Sequence, residues 1–415
     1  MRVNMLIRTA LRVLAVLVVA MMGSATAGAA PTPPGTAPGP VCAWQFMTDS
    51  SVRNVAFPDV NATYWVMPYV LGTGDSLTLT GQYPEARYFS LNTYGTNLDT
   101  VDTLRDDQIR PDPGSSNPYV AGGPSSPGRS WQATVVNREA DHSRNEIRGL
   151  PPAGVQRVPV GFIIIRIYVP DDPGSPNGSV ALPTVTMHLG GATIPLSPCA
   201  VPDGSRNGSQ PGAGILNRVF EAAPADAVPP GTPEATFVNP TTTAGLFPNG
   251  DTKYLTAGLT YRPGRVAVIR GKAPSFPNTR AGVAPGEPGA ALRYWSMCQN
   301  DKVAPFPVVA CAADYQTGLD ADGYYTYVIA APSDLATTAD PAVTVIPWGD
   351  TAVPNKVVIL RNMLPSPAFY PYSVQASQDS GTDPAETMGE YYPRAIYCEV
   401  SVLENLGWQG CYHHK

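Results

Sequence analysis

Polar and apolar residues alternate from Ser76 to Thr80, so Leu77 and Leu79 share one face of a half-exposed strand that ends at Gly81. Val266 and Val268 repeat this before Gly271, with Ile269 on the opposite face. Segments 87–94, 162–169, 181–188, 324–329, 342–346 and 357–360 are likewise short, rich in β-branched and aromatic residues, and fenced by Gly, Pro, Asn or Asp. A parallel α/β fold needs amphipathic helices between its strands, whereas these intervals are filled with Pro and Gly. The pattern predicts sandwich or barrel packing. Helical signals are few. Residues 215–223 fit two turns, Asp383 is an N-cap with Pro384 at the first helical position, and 399–406 runs to a stop at Gly407.

The strands come in two sets. Phe57-Pro58, Tyr64, Gly74 and Gly81 recur as Phe247-Pro248, Tyr254, Gly264 and Gly271, each displaced by 190 residues. Arg87-Tyr88-Phe89-Ser90 is answered by Arg293-Tyr294-Trp295-Ser296, and the run from Gly161 to Pro170 aligns by sequence with Gly323 to Pro332. The expected fold is all-β: two tandem, related, antiparallel β-sandwiches of jelly-roll type with a short helical C-terminal segment. The boundaries expected are a signal peptide at 1–27, a Pro-rich tail at 28–41, a first sandwich at 42–200 and a Pro/Gly-rich linker at 201–236. A second sandwich follows at 237–380, then a disulfide-tethered segment at 381–415.

Composition adds an address. Of 415 residues 43% are hydrophobic and 14% charged, and 39 Gly with 46 Pro make about a fifth of the chain, which suits a folded, turn-rich protein. Arg2, Arg8 and Arg12 precede an apolar run from Val13 to Met22 and then small residues at 24–29, the order of a signal peptide cleaved after Ala27 or Ala29. That run is too short for a permanent span, which needs roughly 20 residues. The most apolar later stretch, 158–169, contains Arg166 and reads as a buried strand. Export to the envelope or beyond is expected. Removing residues 1–27 leaves 24 basic against 33 acidic residues, and the arginines are scattered, so nucleic acid is excluded as a partner.

All six cysteines follow the signal peptide, and an even number in an exported chain points to disulfides. Six cysteines allow fifteen pairings. Spacing favours Cys298–Cys311 across a hairpin, Cys398–Cys411 near the C-terminus, and Cys42–Cys199 clasping the first half. With no Cys-x-x-Cys and no ligand spacing among His142, His188, His413 and His414, neither a metal nor a cofactor is expected.

Candidate chemistry is sparse. The acids Asp99, Asp102, Asp106, Asp107 and Asp112 lack calcium-loop spacing and read as a solvated loop. Asp320-Ala321-Asp322-Gly323 lacks a closing Glu and reads as a hairpin turn. There is no Gly-x-Ser-x-Gly, and no catalytic residue is assigned. Thirteen of the 20 Tyr lie beyond residue 200. Tyrosine tolerates an interface with one end wet, which makes Tyr324, Tyr391 and Tyr392 candidate groove residues; Arg361, at the end of the strand 357–360, is a separate ligand-binding candidate. Arg166, inside an apolar strand, must be paired.

Arg87-Tyr88-Phe89-Ser90, the segment 107–115, Arg293 to Cys298, Asp322-Gly323-Tyr324 and Arg361 to Pro365 resemble secreted actinobacterial proteins of unassigned function. More distantly, each half is similar to the bacterial β-sandwich domain of unknown function catalogued as twelve-fourteen. That resemblance implies fold and export and carries no catalytic residue. The functional expectation is a non-catalytic envelope or extracellular protein that binds a glycan, a lipid headgroup or an envelope protein. The alternative is a secreted hydrolase of envelope polysaccharide acting through paired carboxylates. The mature chain should begin at Gly28 or Ala30. N-terminal sequencing of the exported protein checks this, and retention of Met1 would contradict it.

Overall fold

A computed structural model describes residues 42–122, 126–200, 227–240, 247–334 and 340–413. The expected signal peptide, the tail up to residue 41 and the expected helix at 215–223 lie outside the described residues. The first half forms β1 (Phe46–Thr48), β2 (Ala62–Val70), β3 (Ser76–Gln82), β4 (Ala86–Tyr94), β5 (Thr100–Arg105), β6 (Ser130–Val136), β7 (Glu146–Arg148), β8 (Val160–Pro170), β9 (Thr184–Leu189) and β10 (Ala192–Leu196). They pair as β1-β2-β8-β4-β5 and β10-β9-β3-β6-β7. The second half forms β11 (Thr252–Thr260), β12 (Arg265–Lys272), β13 (Leu292–Asp301), β14 (Val308–Ala313), β15 (Tyr324–Ala330), β16 (Val343–Pro347), β17 (Asn355–Pro365) and β18 (Arg394–Glu399). These pair as β11-β17-β13-β14 and β16-β15-β12-β18.

Without β1 and β10 the two halves share one topology. The order β2-β8-β4-β5 answers to β11-β17-β13-β14, and β9-β3-β6-β7 to β18-β12-β15-β16. Their parallel pairs also correspond, β6 with β7 and β15 with β16. The protein is therefore two related β-sandwiches with a helical C-terminal element. The second sandwich takes its fourth outer strand, β18, from within 381–415.

The ladders correct one alignment. Tyr64 stands opposite Arg166 in the β2–β8 pair, and Tyr254 opposite Arg361 in the β11–β17 pair. The counterpart of β8 is thus β17, and Gly161 to Pro170 does not correspond to Gly323 to Pro332. An apolar strand closed by Pro is too common a pattern to set the register by itself. Gly81 and Gly271 also do more than end a strand. Each lies within its strand opposite an aromatic, Trp131 or Tyr325, and a Cβ there would come within 2.9 Å of the Trp131 ring and 2.5 Å of the Tyr325 hydroxyl.

Burial explains the layering. Leu77 and Leu79 of β3 are buried while their neighbours are not, as one buried face requires. In contrast, β4 is buried at every position. Its odd and even side chains face different layers: Phe89 reaches Trp131 of the outer sheet, with centroids 5.9 Å apart, and Tyr88 joins a second cluster with Tyr294 and Met363 of the other half. The inner sheets of the two sandwiches therefore pack face to face. In the second sandwich, Ala267 and Ile269 face the interior, whereas Val266 and Val268 lie under a covering helix. Two short helices, α1 (Val374–Ser380) and α2 (Pro384–Met388), precede that helix, α3 (Val400–His413), which breaks at Gly407 with φ 67°. Asp383 caps α2. Disulfides join Cys298 to Cys311 directly across β13 and β14, and Cys398 of β18 to Cys411 of α3. Cys42 and Cys199 are disulfide-bonded as well.

Among the ion pairs of the described residues that cross between the sandwiches, two answer to each other. Arg87 of β4 binds Asp314 after β14, and Arg293 of β13 binds Asp106 after β5 at 3.2 Å. The surroundings match: Asp106 accepts the amides of Phe89 and Asp107, Asp314 those of Trp295 and Tyr315. Asp106 thus departs from the solvated loop expected, because the facing half supplies a cation that no local pattern reveals. Burial pushes the Asp106 carboxyl up to about 7 and Asp314 up to about 6, with the arginines pulling against it. A carboxyl raised above its unfolded value contributes stability that is complete near pH 4 and lost as pH rises through 6 to 7. The melting temperature should therefore fall between pH 5 and pH 8, and Asp106→Asn should flatten that fall in a thermal melt series. An unchanged slope in the variant would contradict this assignment.

Candidate functional site

Where the inner sheets face each other, a cavity of about 100 Å³ remains. By this measure a single water needs roughly 10–15 Å³, so the space suits a small organic molecule. Its lining is paired by the duplication: Phe57 with Phe247, Tyr64 with Tyr254, Ile164 with Ile359, and Arg166 with Arg361. Strand alternation places them there. Phe162, Ile164, Arg166 and Tyr168 point from β8 toward the other half, while Ile163, Ile165 and Ile167 fill the first sandwich.

The arginines grip the opposite half. Arg361 Nη2 donates to the Phe57 carbonyl at 2.6 Å, and Arg166 Nη2 to the Phe247 carbonyl. Both phenylalanines are left-handed, with φ of 55° and 50°, a backbone conformation uncommon for a bulky side chain. Val169 and Leu364, the corresponding residues near the ends of β8 and β17, are left-handed too, at 49° and 48°. Strained backbone of this kind persists where packing over-determines it and clusters at ligand sites. Arg166 also donates to the Tyr94 hydroxyl at 2.8 Å and lies 4.9 Å from the Tyr64 ring centroid.

The charges do not balance. Asp59 Oδ2 lies 3.8 Å from Arg361 Nη1, a contact too long for a hydrogen bond, and that nitrogen is buried without a hydrogen-bond partner. At the position matching Asp59 the second half has Asn249. Among the described residues Arg166 has no carboxylate partner, and its Nη1 makes no hydrogen bond. Nor do the phenols compensate. Burial pushes Tyr94 up to about 12 against the pull of Arg166, and burial likewise raises Tyr64, Tyr168 and Tyr254. They remain neutral at physiological pH. No carboxylate is among the described residues that line the cavity.

The sequence-expected site residues fall in two places. Tyr324 donates to Glu390 at 3.0 Å, Lys272 binds the same carboxylate at 2.9 Å, and the Lys272 ammonium lies 5.9 Å from the Tyr391 ring centroid. Tyr391 packs edge-on against Phe369. Tyr392 uses its hydroxyl on the backbone of Phe237, donating to the carbonyl and accepting from the amide. Arg361 is not with them; it lies in the inter-sandwich cavity. The Tyr64–Tyr254 pair and the two Phe-Pro turns were visible as repeat landmarks, but their meeting required the fold. His142 pairs with Asp102 at 3.0 Å, and Asp320 caps its turn and binds Arg270. The grouping of Asp59 with Cys298 and Cys311 offers no thiolate to a metal, because those sulfurs are bonded to each other. Among the described residues no helix is long and apolar enough to cross a membrane.

No family model and no curated protein matches the chain. Solved structures do. One is an uncharacterized protein from Burkholderia cenocepacia, 10% identical, with TM-score 0.51 over 84% of this chain and 79% of that one. Another is the VPA0106 protein from Vibrio parahaemolyticus, 14% identical, with TM-score 0.39 over 82% of this chain and 89% of that one. The first likeness is one of fold.

Proposed function

We propose that the protein is exported and acts in the cell envelope or extracellular space as a non-catalytic binding protein, taking its ligand between its two sandwiches. The cavity walled by Arg166 and Arg361 carries this reading. Two cationic side chains almost wholly buried beside unfilled space are costly unless something else uses their donors. The signal-peptide pattern and the absence of free cysteines support export. A hydrolase acting through paired carboxylates would need two such groups flanking its substrate, and the described lining of the cavity supplies neither. Of the ligands expected from the sequence, a cavity of about 100 Å³ suits a small molecule such as a lipid headgroup fragment, whereas a glycan or an envelope protein would have to engage the separate aromatic surface at Tyr324 and Tyr391.

A thermal-shift screen of the mature protein against small metabolites and lipid fragments tests the reading. Compounds at about 100 times their dissociation constant should stabilise it by about 2.7 kcal/mol, and Ile164→Phe, which fills the cavity, should abolish the shift while the protein stays folded. Shifts that persist in the filled variant would place binding elsewhere.

A further inference from the structure

We propose that the cavity is selective for organic monoanions, with a carboxylate held between Arg166 and Arg361 and a compact apolar body lying against Val66, Ile164 and Ile359. This rests on the cavity being the ligand site. The sign and size of the charge come from one break in the duplication. Phe57-Pro58-Asp59 is repeated as Phe247-Pro248-Asn249, so one acid is replaced by its neutral amide. Asp59 lies beside Arg361, and also accepts the Tyr294 hydroxyl at 2.9 Å and the Ser296 hydroxyl at 2.6 Å. Asn249 is the matching residue, two positions after the Phe247 whose carbonyl takes Arg166, and accepts the Tyr88 hydroxyl at 3.2 Å. The acid two residues on, Asp251, is turned to Tyr88 and Arg105. Two guanidiniums and one carboxylate leave a net single positive charge.

Both arginines line the cavity, and each keeps a nitrogen, Nη1, that has no hydrogen-bond partner among the described residues. A guanidinium presents its N–H groups as a planar fork that fits a carboxylate. A fully ionised phosphate would bring too much charge and ask for more donors than these. Apart from Thr48 and Thr256, whose hydroxyl donates to the Ala227 carbonyl, the rest of the described wall is aliphatic and aromatic, so it suits an apolar body better than a neutral polar one.

The test is isothermal titration of the mature protein with hexanoate, hexanamide and inorganic phosphate, on the wild type and two variants of opposite sign. Hexanoate should bind at least about tenfold more tightly than hexanamide or phosphate. Asn249→Asp, which restores the missing acid, should weaken hexanoate by about tenfold or more, and Asp59→Asn should strengthen it, with hexanamide affected by neither. Circular dichroism confirms that both variants fold. Equal binding of hexanoate and hexanamide would overturn the charge assignment while leaving the cavity as a binding site. Tighter phosphate binding, or variants that shift hexanoate in the same direction, would overturn it too. Absence of binding by all three probes overturns this inference, and the broader reading fails with it only if the metabolite screen is also blank.

Discussion

Everything in this fold leans on charge buried across a duplicated interface. Arg87 with Asp314, and Arg293 with Asp106, tie each inner sheet to a loop of the opposite half. Buried ion pairs of this kind add little net stability over apolar packing, yet losing one partner costs about 3–5 kcal/mol because the other is left buried alone. Their effect is to specify register. A sandwich slid by one residue along its partner would strand two guanidiniums and two carboxylates, so the facing sheets have one acceptable alignment. That alignment brings the Phe57 and Phe247 turns over the opposing arginines and leaves the cavity between them.

Much of this architecture is legible in the sequence. Alternation at Ser76–Thr80, the repeated Phe-Pro turns and the matched tyrosines report local geometry, and local geometry is what sequence encodes directly. The correspondence of β8 with β17 was not legible, since apolar strands closed by Pro look alike and only the ladder partner distinguishes them. The burial of Asp106 is hidden from the local sequence for a related reason: its cation, Arg293, lies 187 residues away. Arg166 announced itself as a buried charge in need of partners. Those partners, Tyr94 and the Phe247 carbonyl, come from another strand and from the other half. The site is therefore a property of the pairing of halves, and the surface aromatics at Tyr324, Tyr391 and Tyr392 do not reach it.

Duplication also explains how such a site arises. Two copies of one surface packed face to face place each residue opposite its own counterpart, so a single arginine in the ancestral unit becomes two around a common space. Divergence can then act on one copy alone. The Asp59–Asn249 difference changes the charge of the shared space without disturbing either sandwich interior. The left-handed backbone at Phe57 and Phe247, present in both copies, belongs to the interface itself.

Differential scanning calorimetry of the mature protein tests most directly whether the halves stand as one unit. The account predicts a single transition with equal calorimetric and van't Hoff enthalpies, shifted down as a whole by Asp314→Ala. Two resolved transitions in the unmodified protein, with only one of them moved by that substitution, would contradict it.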